Sequence, residues 1–295
     1  MATGIVSIAA LDHGFGVVSG VLIVLAAVAL PVLMVGVAVA WRRESWKLTD
    51  LDVALGLCTY IAACAVVGAR LADHRWVLWA LAGMALQGWV SLAPVVARRL
   101  WRERSGLRDR AHGGWELASV ATSGLAILMA DLNVVFLAML FWAVAIVVYL
   151  VMTGLIVWRA WHDAGALARP DIWILMGGAA IATLAGDHID KAGLTFVWPV
   201  TVVTWFIATA WLPVLIFVCI RCRIGLAWAA VFPLGMYSSA TYATAVETGW
   251  QWLTKVSLAF FWIALVAWIL TALQALSRIG SPPAPAAGTR PDLAT

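Results

Sequence analysis

The sequence predicts an all-α integral membrane protein, with ten transmembrane helices arranged as five helical hairpins. Of its 295 residues, 64% are apolar and 12% are charged, whereas soluble domains are about 45–50% apolar and about 25% charged. Apolar stretches of membrane-spanning length recur along the whole chain. Basic residues concentrate in alternate loops, as they do in multi-pass proteins. This composition excludes a water-soluble enzyme and a nucleic-acid-binding protein.

Ten apolar segments can be followed along the chain. They cover residues 1–10, 15–41, 52–71, 76–97, 113–130, 134–159, 171–187, 196–220, 224–246 and 253–277. Ten residues of helix rise only about 15 Å, whereas the hydrocarbon core of a bilayer is about 30 Å thick. We therefore expect the first segment either to be a half-span buried among the other helices or to be truncated at its start.

Charges in the loops predict the topology. Fifteen of the 19 basic residues follow the even-numbered segments or lie in the tail, and the other side has Arg70, Arg75, Lys191 and Lys255. The positive-inside rule places the fifteen-residue side in the cytoplasm. Both termini then lie in the cytoplasm, which requires an even number of spans. Ten spans meet that requirement in a bacterial-type inner or plasma membrane.

The spacing of the segments predicts one transmembrane domain over residues 1–278. Odd-numbered segments begin at intervals of 51 to 61 residues, which suggests that a helical hairpin is repeated five times. The hairpins cover about 1–41, 52–97, 113–159, 171–220 and 224–277. Residues 279–295 are rich in proline and alanine and lack apolar periodicity, so we expect a disordered cytoplasmic tail.

Side-chain size separates the odd segments from the even ones. Gly, Ala, Ser and Thr make up 37 of 70 core positions in the odd segments after the first, but only 33 of 115 in the even segments. Small residues let helices pack closely, and a lipid-facing helix does not need them. We therefore expect the odd helices to lie inside and the even helices outside. Such a ring of inner helices either encloses an axial pore or packs as a solid bundle.

Candidate pore-lining residues are the glycines and hydroxyl residues of the odd segments. They are Gly56, Thr59, Thr122, Gly124, Gly177, Gly178, Gly235 and Ser239. Apart from the ninth, these segments lack proline, so any kinks in them would arise at glycine.

Ionisable residues lie at or near the ends of the segments. Glu116, the fourth residue of the fifth segment, is the deepest, and it is read either as an interfacial helix-start carboxylate or as a proton site. Asp187, His188 and Asp190 form an incomplete ligand set that we expect to face solvent, so no metal is predicted. The sequence has no phosphate-binding glycine loop and no catalytic constellation, so neither a cofactor nor an enzyme activity is expected.

The ninth segment carries the most distinctive local motif, VFPLGMYSSATYATA at residues 231–245. Pro233 removes a backbone hydrogen bond inside an apolar helix, so a kink is expected there. Phe232 precedes it on a helix of small residues. From the residues alone, this ring either packs in the core or occludes a narrow pore.

Several stretches resemble one family of membrane proteins. These are MATGIVSIA at 1–9, PDIWILMGGAAIATLAG at 170–186, TWFIATAWLPVLIFV at 204–218 and WAAVFPLGMYSSATYATA at 228–245. The chain resembles the tellurite-resistance/dicarboxylate transporter family, which includes bacterial tellurite-resistance proteins, fungal malate and sulfite transporters and plant slow anion channels. The resemblance extends from Met1 to about Ala275.

The resemblance implies ten helices in five hairpins, odd helices lining a central pore, and homotrimers in which each protomer has its own pore. It also implies that a phenylalanine of the ninth helix plugs the pore, a role that falls on Phe232 with Pro233 as the kink. The family's first helix usually begins upstream with a Pro-Gly-Tyr-Phe-like stretch that this chain lacks. That departure puts transport competence in doubt if the first helix is truly short.

We therefore expect a gated, channel-like pore for small anions. The candidates are C4-dicarboxylates such as malate and inorganic anions such as tellurite, chloride and nitrate. One alternative is a proton-coupled dicarboxylate carrier, in which Glu116 would be the coupling residue. The other is a membrane scaffold that transports nothing, which a truncated first helix would favour. The expected partners are small anions, the lipid bilayer and further copies of the chain, but not nucleic acid.

Overall fold

The computed structural model describes residues 1–43, 50–104, 106–163, 165, 168–225 and 227–280. All regular secondary structure in these ranges is helical, which confirms the predicted fold class. The ten longest helices are α1 (Ala2–Asp12), α2 (Gly16–Arg43), α3 (Leu51–Arg70), α4 (Arg75–Arg102), α5 (Leu117–Asp131), α6 (Val135–His162), α7 (Ile174–Lys191), α8 (Trp198–Cys222), α9 (Trp228–Thr248) and α10 (Trp252–Gly280).

Short turns adjoin several of these helices. The 3-10 turns Gly113–Glu116 and Pro170–Trp173 precede α5 and α7, so both α-helices begin later than the sequence predicted. A four-residue helix, Leu107–Arg110, lies in the loop between α4 and α5 and was not predicted. At the other end, α10 continues to Gly280, so the predicted tail over 279–295 begins helically. The remainder of that tail lies outside the described residues.

Seven of the described helices are long and apolar enough to cross a membrane. The other three long helices are odd-numbered. Helix α1 has 11 residues and α5 has 15, so both are shorter than the 18 residues taken as the minimum for a spanning helix. Helix α9 has 21 residues, but its serines, threonines and tyrosines lower its mean hydropathy. The count of ten spanning helices therefore stays a prediction, although ten long helices are present in the described ranges.

Burial separates the two sets of helices as side-chain size predicted. We compare the most apolar 18-residue stretch of each spanning segment. In this stretch 67% of the residues are buried in α3, and 89% are buried in Pro170–Lys191, which is α7 with the turn before it. The corresponding share is 17–33% in the five even helices. Most residues of α5 and α9 are also buried. The expectation that odd helices lie inside and even helices outside is confirmed.

The five odd helices form a closed ring. Helix α1 packs against α3, α3 against α5, α5 against α7, α7 against α9, and α9 returns to α1. Each even helix packs against the odd helix that precedes it and also contacts the next odd helix around the ring, with α10 reaching α1. The chain thus builds the ring by repeating one hairpin, and each outer helix covers the seam between two inner helices.

Tryptophans of the outer helices join these seams with hydrogen bonds. In four hairpins an indole N–H donates to the inner helix of the next hairpin at 2.8–3.0 Å. The pairs are Trp89 with Thr122, Trp142 with the carbonyl of Ala182, Trp205 with Thr241, and Trp268 with Thr3. Because a buried indole N–H needs an acceptor, each pair fixes the register of an outer helix against the ring.

Candidate functional site

Phe232 and Pro233 lie near the start of α9, where it faces α7. The side chain of Phe232 is 1% exposed. A methyl group on Gly177 of α7 would lie 3.1 Å from Cγ of Pro233 and 3.5 Å from Cε1 of Phe232. The glycine therefore leaves the space that the proline and the aromatic ring occupy. Phe232 is thus buried at the contact between α7 and α9, two neighbouring members of the ring of odd helices.

Three more glycines from the predicted pore-lining set lie at contacts between helices. A methyl group on Gly124 would lie 2.7 Å from Cβ of Ala65 on α3, and one on Gly235 would lie 3.0 Å from Cγ2 of Ile5 on α1. On Gly178 it would lie 2.9 Å from the ring of Tyr149 on the outer helix α6. These glycines permit close helix packing. Their predicted role in lining a pore stays a prediction.

The remaining candidates differ in their surroundings. Thr122 is buried and accepts a hydrogen bond from Trp89 of α4, whereas Ser239 is buried beside the carboxylate of Asp12. Gly56 and Thr59 are exposed on α3, and no atom lies within 4 Å of the position that a methyl group on Gly56 would take. A further buried hydroxyl that the sequence analysis missed is Ser123 of α5, which has no hydrogen-bond partner in the described protein.

Glu116 is wholly buried in the protein, which the sequence did not predict, while its two interpretations as a helix-start carboxylate and as a proton site both stay predictions. It ends the 3-10 turn before α5, and the hydroxyl of Thr153 on α6 donates to its Oε1 at 2.6 Å. Its Oε2 has no hydrogen-bond partner among the described residues. This oxygen would lie 3.4 Å from a methyl group on Gly178. The burial arises because α6 and α7 cover the start of α5, which the sequence of one span cannot reveal.

His112 joins the N-terminal ends of three inner helices on the basic side of the molecule. Its Nδ1 lies 2.5 Å from Oδ2 of Asp171, before α7, and its Nε2 lies 3.2 Å from Oδ1 of Asp52, at the start of α3. Trp115 also donates to Asp52 Oδ1, at 3.0 Å. We call His112, Asp52, Asp171 and Trp115 the entrance network.

Sequence reasoning missed the entrance network, although a signal was present. Asp52 and Asp171 both begin odd segments, and His112 directly precedes another, so the three occupy equivalent places in the repeat. The close approach of two turns explains why glycine, Gly113, follows His112. A methyl group on Gly113 would overlap the backbone carbonyl oxygen of Asp171, so the two turns can approach only without a side chain there. Aligning the repeats would have brought these residues together.

Carboxylates gather at the opposite ends of the inner helices. His188 Nδ1 lies 2.6 Å from Oδ1 of Asp131, and Lys191 donates to Oδ2 of Asp187 at 2.6 Å. Asp187 is 2% exposed, which corrects the expectation that it faces solvent. Asp12 at the end of α1 and Glu247 near the end of α9 lie close enough to Asp187 to interact with it electrostatically. We call Asp12, Asp131, Asp187, Asp190 and Glu247 the carboxylate cluster.

The loop after α1 adds no fixed positive charge to this end. Burial lowers the pKa of the His13 imidazole below its ordinary value, and a hydrogen bond with Ser257 acts in the opposite direction. Its Nε2 lies 2.9 Å from the Ser257 hydroxyl. Within the described ranges, no group of three His, Cys, Asp or Glu side chains is arranged to hold a metal ion.

The sequence model of the voltage-dependent anion channel family, SLAC1, matches residues 1–276. An uncharacterized transporter of Methanocaldococcus jannaschii is 22% identical over 154 residues, which cover 48% of this chain and 45% of that protein. An uncharacterized membrane protein of Mycobacterium tuberculosis is 28% identical over 133 residues, which cover 38% of this chain and 66% of that protein. The chain thus matches less than two thirds of the length of either relative.

Proposed function

Because the chain belongs to the voltage-dependent anion channel family, whose model matches nearly all of it, we propose that it conducts small anions through the ring of odd helices, with Phe232 as the gate. The observation that carries this proposal is Phe232 itself. Its aromatic ring is buried beside Gly177, where two of the inner helices, α7 and α9, meet. A bulky apolar side chain at that place blocks a pore without needing a charge.

Substrate anions would be inorganic ions such as chloride, nitrate and tellurite, or C4-dicarboxylates such as malate. Fifteen of the 19 basic residues lie on one side of the predicted topology, where they attract anions toward the pore. We place that side in the cytoplasm of a bacterial-type inner or plasma membrane, together with both chain ends. The proposed assembly is a homotrimer in which each copy of the five-hairpin domain conducts separately.

The experiment that tests the gate is a comparison of currents across planar bilayers. Wild type and Phe232→Ala are measured with chloride, nitrate and malate in turn. We expect a larger anion current in the variant, and the ion series ranks the substrates. The matched control is Phe261→Ala, which removes an equally buried ring from the outer helix α10. Equal currents in wild type and Phe232→Ala, with both assembled in the membrane, would contradict the gate.

A second candidate function is a proton-coupled dicarboxylate carrier. The burial of Glu116 and its unpartnered Oε2 favour it, because an ionisable group inside a membrane domain commonly marks a proton pathway. Here Glu116→Gln is expected to abolish malate uptake driven by a pH gradient in proteoliposomes. Malate exchange without a gradient is expected to continue. Unchanged pH-driven uptake in this variant would remove Glu116 from the coupling mechanism.

A further inference from the structure

A cleft of about 430 Å³ lies where the loop between α4 and α5 folds against the start of α3. Its lining has apolar and charged side chains, which we call the apolar wall and the charged wall. The residues that matter here are Leu51, Leu107 and Trp115 on the apolar wall and Arg102, Glu103 and Arg110 on the charged wall. Neither Phe232 nor Glu116, the residues proposed for gating and for coupling, lines this cleft.

The charged wall has an excess of guanidinium groups. Arg110 Nη1 donates to Oε2 of Glu103 at 2.9 Å, and Arg99 lies 3.6 Å from the other oxygen of the same carboxylate. Arg102 forms no ion pair with a described residue, and its side chain is exposed. The cleft lining therefore combines one carboxylate with two arginines, and that carboxylate is also shared with Arg99. Guanidinium groups bind phosphate oxygens through paired hydrogen bonds, so the excess suits a phosphate group.

The cleft also lies at the level where lipid headgroups are expected. Arg102 is the last residue of α4, one of the helices long and apolar enough to cross the bilayer. Trp101, which precedes it, is 74% exposed, and the guanidinium of Arg104 lies 5.8 Å from the centre of that indole ring. Exposed tryptophans beside arginines are typical of the membrane–water interface. Basic pockets between helices at this level bind lipid phosphates.

We propose that this cleft is a binding site for a phosphate group, held by Arg102 and Arg110 over the apolar wall. The group could be carried by an anionic lipid or by soluble phosphate, since both present the same oxygens. A bound phosphate competes with Glu103 for Arg110. The cleft adjoins the entrance network, because Leu51 precedes Asp52 and Trp115 donates to Asp52. Occupancy therefore stabilises the contact between α3 and the loop that leads to α5.

The test measures ligand-induced shifts in the unfolding temperature of the full chain in a neutral detergent. One arm titrates short-chain phosphatidylglycerol against phosphatidylcholine of the same chain length, and the other titrates inorganic phosphate against chloride at equal ionic strength. A ligand that binds the folded state raises the midpoint as its concentration exceeds Kd. The variant Arg102→Gln/Arg110→Gln is expected to bind at least about tenfold more weakly. Arg98→Gln is the matched control, because Arg98 lies on the same helix but outside the cleft.

Each outcome decides the proposal. A shift with phosphatidylglycerol that the double variant loses and Arg98→Gln keeps identifies a lipid phosphate. The same pattern with inorganic phosphate alone identifies a soluble one. If the double variant does not fold, Glu103→Gln is measured, and removal of the competing carboxylate is expected to strengthen binding several-fold. No shift in wild type, an equal shift in the double variant, or an unchanged affinity in Glu103→Gln overturns the site. None of these readings depends on anion transport.

Discussion

His112 connects three helix ends that are far apart in the sequence. Its two nitrogens face Asp171 before α7 and Asp52 at the start of α3, while the residue itself precedes α5. The side chain is 11% exposed. Hydrogen bonds to charged groups contribute about 1.5–3 kcal/mol each, more than bonds between neutral groups. This imidazole therefore links the N-terminal ends of α3, α5 and α7 at the basic end of the ring.

Replacing His112 by Ala is expected to lower the free energy of unfolding by about 2 kcal/mol, because two carboxylates lose their shared donor. The measurement is the unfolding temperature of the purified protein in detergent. His162→Ala serves as the control, since His162 is exposed and its described contacts are with Trp158 of its own helix. Equal unfolding temperatures for the two variants would show that the entrance network contributes no net stability.

Single residues differ in how far the sequence predicts their surroundings. Phe232 and Pro233 were singled out because a proline within an apolar segment is a local signal. The burial of Glu116 and Asp187 was not predicted, because it depends on neighbouring helices that cover the ends of α5 and α7. The position of a charge along one segment gives its depth, but not which neighbours cover it.

Element packing follows from side-chain size. The small residues of the odd helices let five helices meet side by side, and the bulky even helices then cover the seams. This arrangement was predictable because composition differs between the two sets. The indole pairs that fix each seam were not predictable, since the chain has 19 tryptophans and nothing in a single segment tells which of them face inward.

The contact between α3 and α5 depends on Gly124. Alanine there places its methyl group 2.7 Å from Cβ of Ala65, which has no rotamer to move into, so the helices must separate. Overpacking of this kind costs about 1–3 kcal/mol. Gly124→Ala is therefore expected to reduce the free energy of unfolding by that amount, as measured by thermal or denaturant unfolding in detergent.

Gly56→Ala is the matched control for this substitution. It lies within α3, and no atom lies within 4 Å of the added methyl group. Alanine is favoured over glycine inside a helix by about 1 kcal/mol, so this variant is expected to be neutral or slightly more stable. A Gly124→Ala protein as stable as Gly56→Ala would show that the α3–α5 contact can relax without cost.

At the scale of the whole molecule, charge is distributed unequally between the two ends of the ring. Arginine-rich loops follow the even helices at one end, whereas the carboxylate cluster gathers at the C-terminal ends of the inner helices at the other. Fixed charge at a pore mouth changes the local concentration of permeating ions. For an anion pore, the basic mouth concentrates the permeating ion and the carboxylate mouth depletes it.

The proposed pore should therefore rectify. In excised patches with symmetric chloride, anion current from the basic end toward the carboxylate end is expected to exceed the reverse current by about twofold at low salt. The asymmetry should shrink as salt rises, because the screening length falls from about 30 Å at 0.01 M to about 3 Å at 1 M. Asp187→Asn/Asp190→Asn, which replaces two carboxylates of the cluster, should reduce the asymmetry at low salt. Asp73→Asn should preserve it, because this exposed carboxylate lies in the turn between α3 and α4 and outside the cluster. A rectification that is the same at both salt concentrations would have to come from the gate rather than from charge at the mouths.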